Sequence, residues 1–259
     1  MPPRLTVPIY PIRTMHRFYI PPETWNLDAL TLDEAETHHA VDVLRMNAGD
    51  RAVVFNGKGA EATVEIAAVG KKSVTLKKML HAKSPPIGCQ ITLAQAVPKG
   101  KNMDLIVQKA VELGAAAICP LLSERTVIQV EEDDAARKQQ KWQAVAIEAA
   151  KQCGQNWLPR VDPPRSPKEF FAHPVRHDLM LIASLQPDAM HLKKLLAENL
   201  DKKPKTVLVL IGPEGDFTPA EIGLAKSHGC RPITLGPIVL RTETAAIYCL
   251  SVLSYELFG

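Results

Sequence analysis

Over the first third of the chain, apolar and polar residues change in short runs, a rhythm that predicts strands rather than helices. Residues 16–20 read as a strand, and residues 51–55 and 62–68 flank Asn56-Gly57-Lys58-Gly59. An Asn-Gly pair predicts a hairpin there, because both turn residues accept positive φ. Residues 74–80 form a third strand of the same meander, and the spacing predicts a compact β-barrel-like module. Ser84-Pro85-Pro86 then ends the pattern.

Beyond that break, longer apolar runs alternate with helical stripes. Strands are predicted at residues 89–97, 116–122, 179–183, 206–211 and 233–235, and helices at 103–113, 134–153, 190–199, 219–228 and 242–257. The helix over 134–153 carries Trp142, Val145, Ala146, Ala149 and Ala150 on one face. A proline-rich connection, residues 159–167, reads as loop. Strands alternating with helices predict a mostly parallel sheet covered on both faces, with ligands held beyond the carboxyl ends of its strands. Three segments are expected: a disordered extension over 1–15 ahead of a second methionine, Met15; a β-rich domain over 16–84; and an α/β domain over 88–259.

Composition narrows the class. No apolar run approaches the ~20 residues of a membrane span, and residues 1–14 lack the apolar stretch of a signal peptide, so a cytoplasmic protein is expected. Five cysteines, at 89, 119, 153, 230 and 249, are scattered and never form C-x-x-C. That usage suits a reducing compartment and points to core residues rather than disulfides, zinc ligands or nucleophiles. Net charge is only +3, but seven lysines (71, 72, 77, 78, 83, 99 and 101) fall between Ile66 and Met103 with no acidic residue among them. Such a run suits phosphate contacts, and equally a solvated face.

Two loops carry the sharpest local signal. Ile211-Gly212-Pro213-Glu214-Gly215-Asp216-Phe217-Thr218 leaves an apolar strand and enters a helix whose start, Thr218-Pro219-Ala220-Glu221, is a capping box with proline at the first helical position. Its glycines allow close approach of a ligand, although taken alone the segment is also a good tight turn. Residues 235–246, Leu-Gly-Pro-Ile-Val-Leu-Arg-Thr-Glu-Thr-Ala-Ala, repeat the arrangement, with Thr242 as the expected cap and Arg241 and Glu243 on either side of it. Neither loop is a P-loop or a G-x-G-x-x-G fingerprint, and no H-E-x-x-H or G-x-S-x-G occurs, so no metal site is expected.

These loops, together with His38-His39, Val43-Leu44-Arg45, Gly49-Asp50, Lys99-Gly100, Asp104, Val107-Gln108-Lys109, Glu112-Leu113-Gly114, Glu124-Arg125-Thr126, Glu148-Ala149 and Gln152-Cys153-Gly154, resemble the ribosomal RNA small subunit methyltransferase E family of the SPOUT superfamily. The resemblance runs from His16 to the C-terminus. It implies a PUA-like RNA-binding domain followed by an α/β domain tied in a deep trefoil knot, a homodimer, and methylation of uridine N3 in the decoding region of small-subunit (16S) ribosomal RNA from S-adenosylmethionine. Knots are among the rarest chain paths, so that expectation stands on resemblance alone. By position the resemblance assigns Leu185, Ile211, Gly212, Pro213, Glu214, Gly215, Leu235, Gly236, Leu240 and Thr242 to the cofactor. The sequence departs from the family pattern at Asp216, where a second glycine is usual, at Ile238, where arginine is common, and at Gln155-Asn156, where an arginine often follows the glycine.

Uridine N3 carries a proton at neutral pH and must lose it to attack a methyl group. Arg241 is the candidate for stabilising an anionic uracil and Glu243 for taking the proton. Arg17, His38, Arg45, Lys99, Lys101 and Arg125 are the expected RNA contacts, with structural ion pairs as the alternative for Arg17 and Arg45 and ordinary part-buried histidines for His38 and His39. Two other readings stay open: a related SPOUT enzyme acting on another base or a ribose 2'-hydroxyl, and a non-catalytic RNA-binding assembly factor.

Overall fold

The computed structural model describes residues 15–100, 102–126, 132–173, 176–199 and 204–258. The expected extension therefore lies outside the described residues except for Met15. The chain divides into two compact units, with the division between Ser84 and Pro85.

The first unit holds strands β1 (Arg17–Tyr19), β2 (Thr31–Leu32), β3 (Arg51–Phe55), β4 (Ala60–Val69) and β5 (Val74–Lys83) in the order β1-β3-β4-β5-β2. Alternation decides its core: Ala62, Val64 and Ile66 of β4 point inward against Phe18, Val54, Leu30 and Leu76. The hairpin forms where it was expected, but not through a two-residue turn. Gly57 and Gly59 take positive φ (69° and 88°), while the Asn56 side chain accepts the amides of Lys58 and Ala60 at 2.9 and 3.1 Å. The asparagine is spent as an acceptor, which lengthens the loop to four residues.

Between β2 and β3 lies an element the periodicity did not predict. Helix α1 (Glu34–His38), capped by Asp33 on the amide of Glu36 at 2.8 Å, runs into a π-helical turn, His39–Val43, and the chain leaves it through Arg45 at φ 57°. A left-handed arginine costs about 1 kcal/mol or more, so this corner is held by its surroundings.

The second unit comprises β6 (Gln90–Ala96), α2 (Asn102–Glu112), β7 (Ala115–Leu121), α3 (Glu132–Cys153), β8 (Arg160–Val161), α4 (Pro167–Ala172), β9 (Leu179–Ala183), β10 (Met190–His191), α5 (Leu192–Ala197), β11 (Thr206–Ile211), α6 (Pro219–Ser227), β12 (Arg231–Thr234) and α7 (Thr242–Leu257). Among the described residues its seven strands lie in the order β10-β12-β9-β11-β6-β7-β8, and all pairs are parallel. Residues 207–211 are buried throughout, as a strand covered on both faces requires. Leu208 and Leu210 pack with Phe170 and Phe171 of α4 and Ile222 and Ala225 of α6, and the alternate face of the sheet meets α7.

Two details correct the expected elements. The helix predicted over 190–199 is split: Met190 and His191 pair with Ile233 and Thr234 of β12, and α5 starts only after the His191 ring accepts the amide of Lys193 at 3.2 Å. The loop expected over 159–167 contains β8 and leads into α4, whose start is a second capping box, Ser166 with Glu169. Among the described residues no helix is long and apolar enough to cross a membrane.

Candidate functional site

Because all strands of the second unit run the same way, β9, β11 and β12 end side by side. The loops leaving them line an open pocket, whose space of about 570 Å³ includes adjoining solvent. Ser184 and Leu185 follow β9, residues 212–216 follow β11, and residues 235–240 follow β12, with Thr242 and Ala245 of α7 as the last wall. Every residue assigned to the cofactor by position lines this pocket except Gly215, whose carbonyl faces outward to accept the Arg125 guanidinium at 2.5 Å.

The loops are held by hydrogen bonds that reach across the sequence. Thr242 was expected to cap α7, but Arg241 occupies the cap position with extended backbone and no side-chain bond. The Thr242 hydroxyl instead donates to the Gly212 carbonyl at 2.6 Å and accepts from the Gln95 amide at 2.9 Å. Gln95 is wholly buried at the end of β6 and also donates to the Ala96 carbonyl at 2.8 Å. Three segments thus meet at one hydroxyl.

The capping box at α6 is present, and Glu221 does more than close it. Its carboxylate accepts the Thr218 amide at 2.9 Å, the Ser123 hydroxyl at 3.0 Å and the Glu124 amide at 3.0 Å. The turn after β7 is thereby fixed beneath the 212–218 loop. Glu214 accepts the backbone amide of Lys99 at 3.1 Å. Asp216 sits at φ 61°, with Oδ1 accepting the Phe217 amide at 2.8 Å and Oδ2 accepting the Leu185 amide at 3.2 Å.

Chemically the pocket has aliphatic walls, Leu185, Ile211, Leu235 and Leu240, and loop backbone for polar contacts. Among the described residues, the charged ones in its lining are Glu214 and Asp216. Such a lining suits a flat apolar ring system joined to a positively charged group. It holds no cysteine, and burial pushes the Cys89 thiol up to about 11 and those of Cys119, Cys230 and Cys249 up to about 12, so these four stay protonated at neutral pH.

Arg241 is exposed and Glu243 partly buried at the start of α7; neither lines the pocket, and neither side chain has an ion-pair partner among the described residues. Of the expected RNA contacts, Arg17 is engaged internally, paired with Glu61 at 3.3 Å and stacked over the Phe55 ring at 5.0 Å. His38 is largely exposed and meets Asp42 at 2.7 Å, His39 lies edge-on to Phe18, and Arg45 is exposed. Lys99 and Arg125 are exposed beside the 212–216 loop, and Lys101 lies outside the described residues. The motif reading missed Gln95 and Ser123 as parts of the site, and named Asp216 within the first loop only as a departure from the family pattern. An amide set inside the apolar stretch 93–97 was the available signal for Gln95.

Both units have counterparts among known proteins. Residues 85–254 match the model of an RNA methyltransferase domain, and residues 32–79 that of an RNA methyltransferase PUA domain. The chain is 32% identical over 226 residues to the ribosomal RNA small subunit methyltransferase E of Bacillus subtilis, covering 85% of this chain and 88% of that protein. It is 30% identical to the Aquifex aeolicus protein of the same name, covering 92% and 99%. Among solved structures, a Legionella pneumophila chain in complex with the bound cofactor SAM has a TM-score of 0.84 at 36% identity, covering 93% of this chain and 97% of that one. The ribosomal RNA small subunit methyltransferase E of Neisseria gonorrhoeae bound to S-adenosyl methionine has a TM-score of 0.81 at 29% identity, with the same coverage.

Proposed function

Because the chain belongs to the ribosomal RNA small subunit methyltransferase E family, we propose that it methylates N3 of a uridine in the decoding region of small-subunit ribosomal RNA, using S-adenosylmethionine, in the cytoplasm. The observation that carries the reading is the pocket at the strand ends of β9, β11 and β12, lined by the residues that the sequence singles out.

The residues present fit this cofactor. Leu185, Ile211, Leu235 and Leu240 offer apolar surface to a purine, the 212–216 and 235–240 backbone offers hydrogen bonds, and Glu214 and Asp216 match a cationic ligand. When bound, the cofactor supplies a methyl group on a sulfonium, whose sulfur leaves as a neutral thioether. The protein's task is then to present an N3 lone pair. Glu243 takes the N3 proton, and Arg241 stabilises the negative charge that spreads over the uracil carbonyls. Their place at the start of α7, next to the pocket wall formed by Thr242, keeps both on a rigid element.

The reading includes a trefoil knot and a homodimer. In favour of the knot, the chain runs out to β12 beyond β9 and then returns to β11 and β6, where α7 starts bound to the Gly212 carbonyl. In favour of the dimer, Ile238, Val239 and Leu185 at the pocket rim and Tyr248 and Tyr255 on α7 are exposed. On α7 itself, Leu250 and Leu253 are buried in the core.

The test is transfer of labelled methyl to small ribosomal subunits lacking the modification, followed by nucleoside analysis. 3-Methyluridine is expected, and Arg241→Ala is expected to lower turnover by roughly 10²-fold or more with cofactor binding retained. A different methylated nucleoside would replace the N3 assignment with another base or a ribose hydroxyl. Absence of both cofactor binding and transfer would leave a non-catalytic RNA-binding role.

A further inference from the structure

Asp216 is one of only two non-glycine residues with positive φ among the described residues. Aspartate tolerates this region better than most residues but still pays for it. Its carboxylate is held by two backbone amides, those of Phe217 and Leu185, and the second joins the loop after β9 to the loop after β11 across the mouth of the pocket. Among the described residues no cation pairs with it. Glu214, the other charged lining residue, is exposed, with one oxygen on the Lys99 amide, and Arg125 reaches the loop from outside at the Gly215 carbonyl. The fixed negative charge at the pocket wall is therefore that of Asp216, clamped in place before any ligand arrives.

Such a charge acts differently on the two forms of the cofactor. Loss of the methyl group converts a sulfonium into a thioether, so the ligand loses one positive charge and almost none of its shape. Apolar walls sense only the missing methyl, a difference of about 10- to 200-fold at most in a pocket. A fixed carboxylate adds a part that depends on charge. We propose that Asp216 is a specificity-determining residue that makes the pocket favour the cationic methyl donor over its neutral, demethylated product, which speeds product release. The inference rests on the reading of this pocket as the cofactor site.

The test measures Kd by titration calorimetry for S-adenosylmethionine and S-adenosylhomocysteine, on the full chain and on Asp216→Asn. Asparagine keeps the shape and the tolerance of positive φ; it removes the charge and one of the two accepted amide bonds, so the salt dependence is what isolates the charge. The preference for the donor is expected to fall roughly three- to thirtyfold, mostly through weaker donor binding, as a unit charge acting across several ångströms of partly solvated space predicts. Raising salt from about 0.05 M to about 0.5 M is expected to compress the preference in the parent chain and leave the variant nearly unchanged. Should Asp216→Asn not fold, Asp216→Gly takes its place, since glycine accepts φ 61° at no steric cost. An unchanged preference in a variant that still binds both ligands overturns the charge assignment alone. Failure of the parent chain to bind either ligand overturns the reading of the pocket, and this inference with it.

Discussion

Gln95 and Thr242 are separated by 147 positions and joined by one hydrogen bond, with the Gly212 carbonyl as the next link. Thr242→Val removes both bonds and leaves the buried Gln95 amide and the Gly212 carbonyl short of a partner, at a cost of about 2–3 kcal/mol. Gln95→Leu is milder, about 1 kcal/mol: the Thr242 hydroxyl and the Ala96 carbonyl each lose a donated bond, but burial of an Oε1 with no partner among the described residues is relieved. Urea unfolding of both single variants and the double is expected to show non-additivity of about 1 kcal/mol; strict additivity would mean the two do not act as a unit. At this scale the sequence was legible where chemistry is local. Glycines 212 and 236 marked loops that line the pocket. The hydroxyl of Thr242 was misread as a cap because its true partners lie 30 and 147 positions away, which no local spacing reveals.

At the scale of elements, what could be read were runs long enough to carry their own period. The strands at 51–55, 179–183 and 206–211 and the helix over 242–257 stand where alternation and stripe placed them. Two-residue strands such as β8 and β10 exist only because a neighbour pairs with them, and the π-helical turn has no period to detect. The start of α6 lies between these cases: its capping box is written in Thr218 and Glu221, but the donors from Ser123 and Glu124 come from nearly a hundred positions away. Glu221→Ala is expected to lower stability by about 2–4 kcal/mol, more than loss of a cap alone, since three donors lose one acceptor. Glu221→Gln should recover part of it in the same unfolding measurement. A loss below about 1 kcal/mol would show that the turn after β7 does not depend on this carboxylate.

For the whole molecule, the two-unit division was readable from the change of rhythm at Ser84-Pro85-Pro86, whereas the chain's path was not, because pattern says which residues are buried and not which connection passes behind which. Tyr255, 85% exposed on α7, bears on the proposed dimer. Sedimentation equilibrium is expected to give about twice 28.4 kDa for the parent chain and the single mass for Tyr255→Lys; a parent monomer at micromolar concentration would remove the dimer from the proposal. The contact between Gln95 and Thr242 has one more consequence. Closing so long a loop is entropically slow and comes after nearer contacts have formed. The pocket wall that Thr242 completes is therefore among the last parts of the molecule to be assembled on refolding, and recovery of ligand binding will trail recovery of helical signal by a measurable lag.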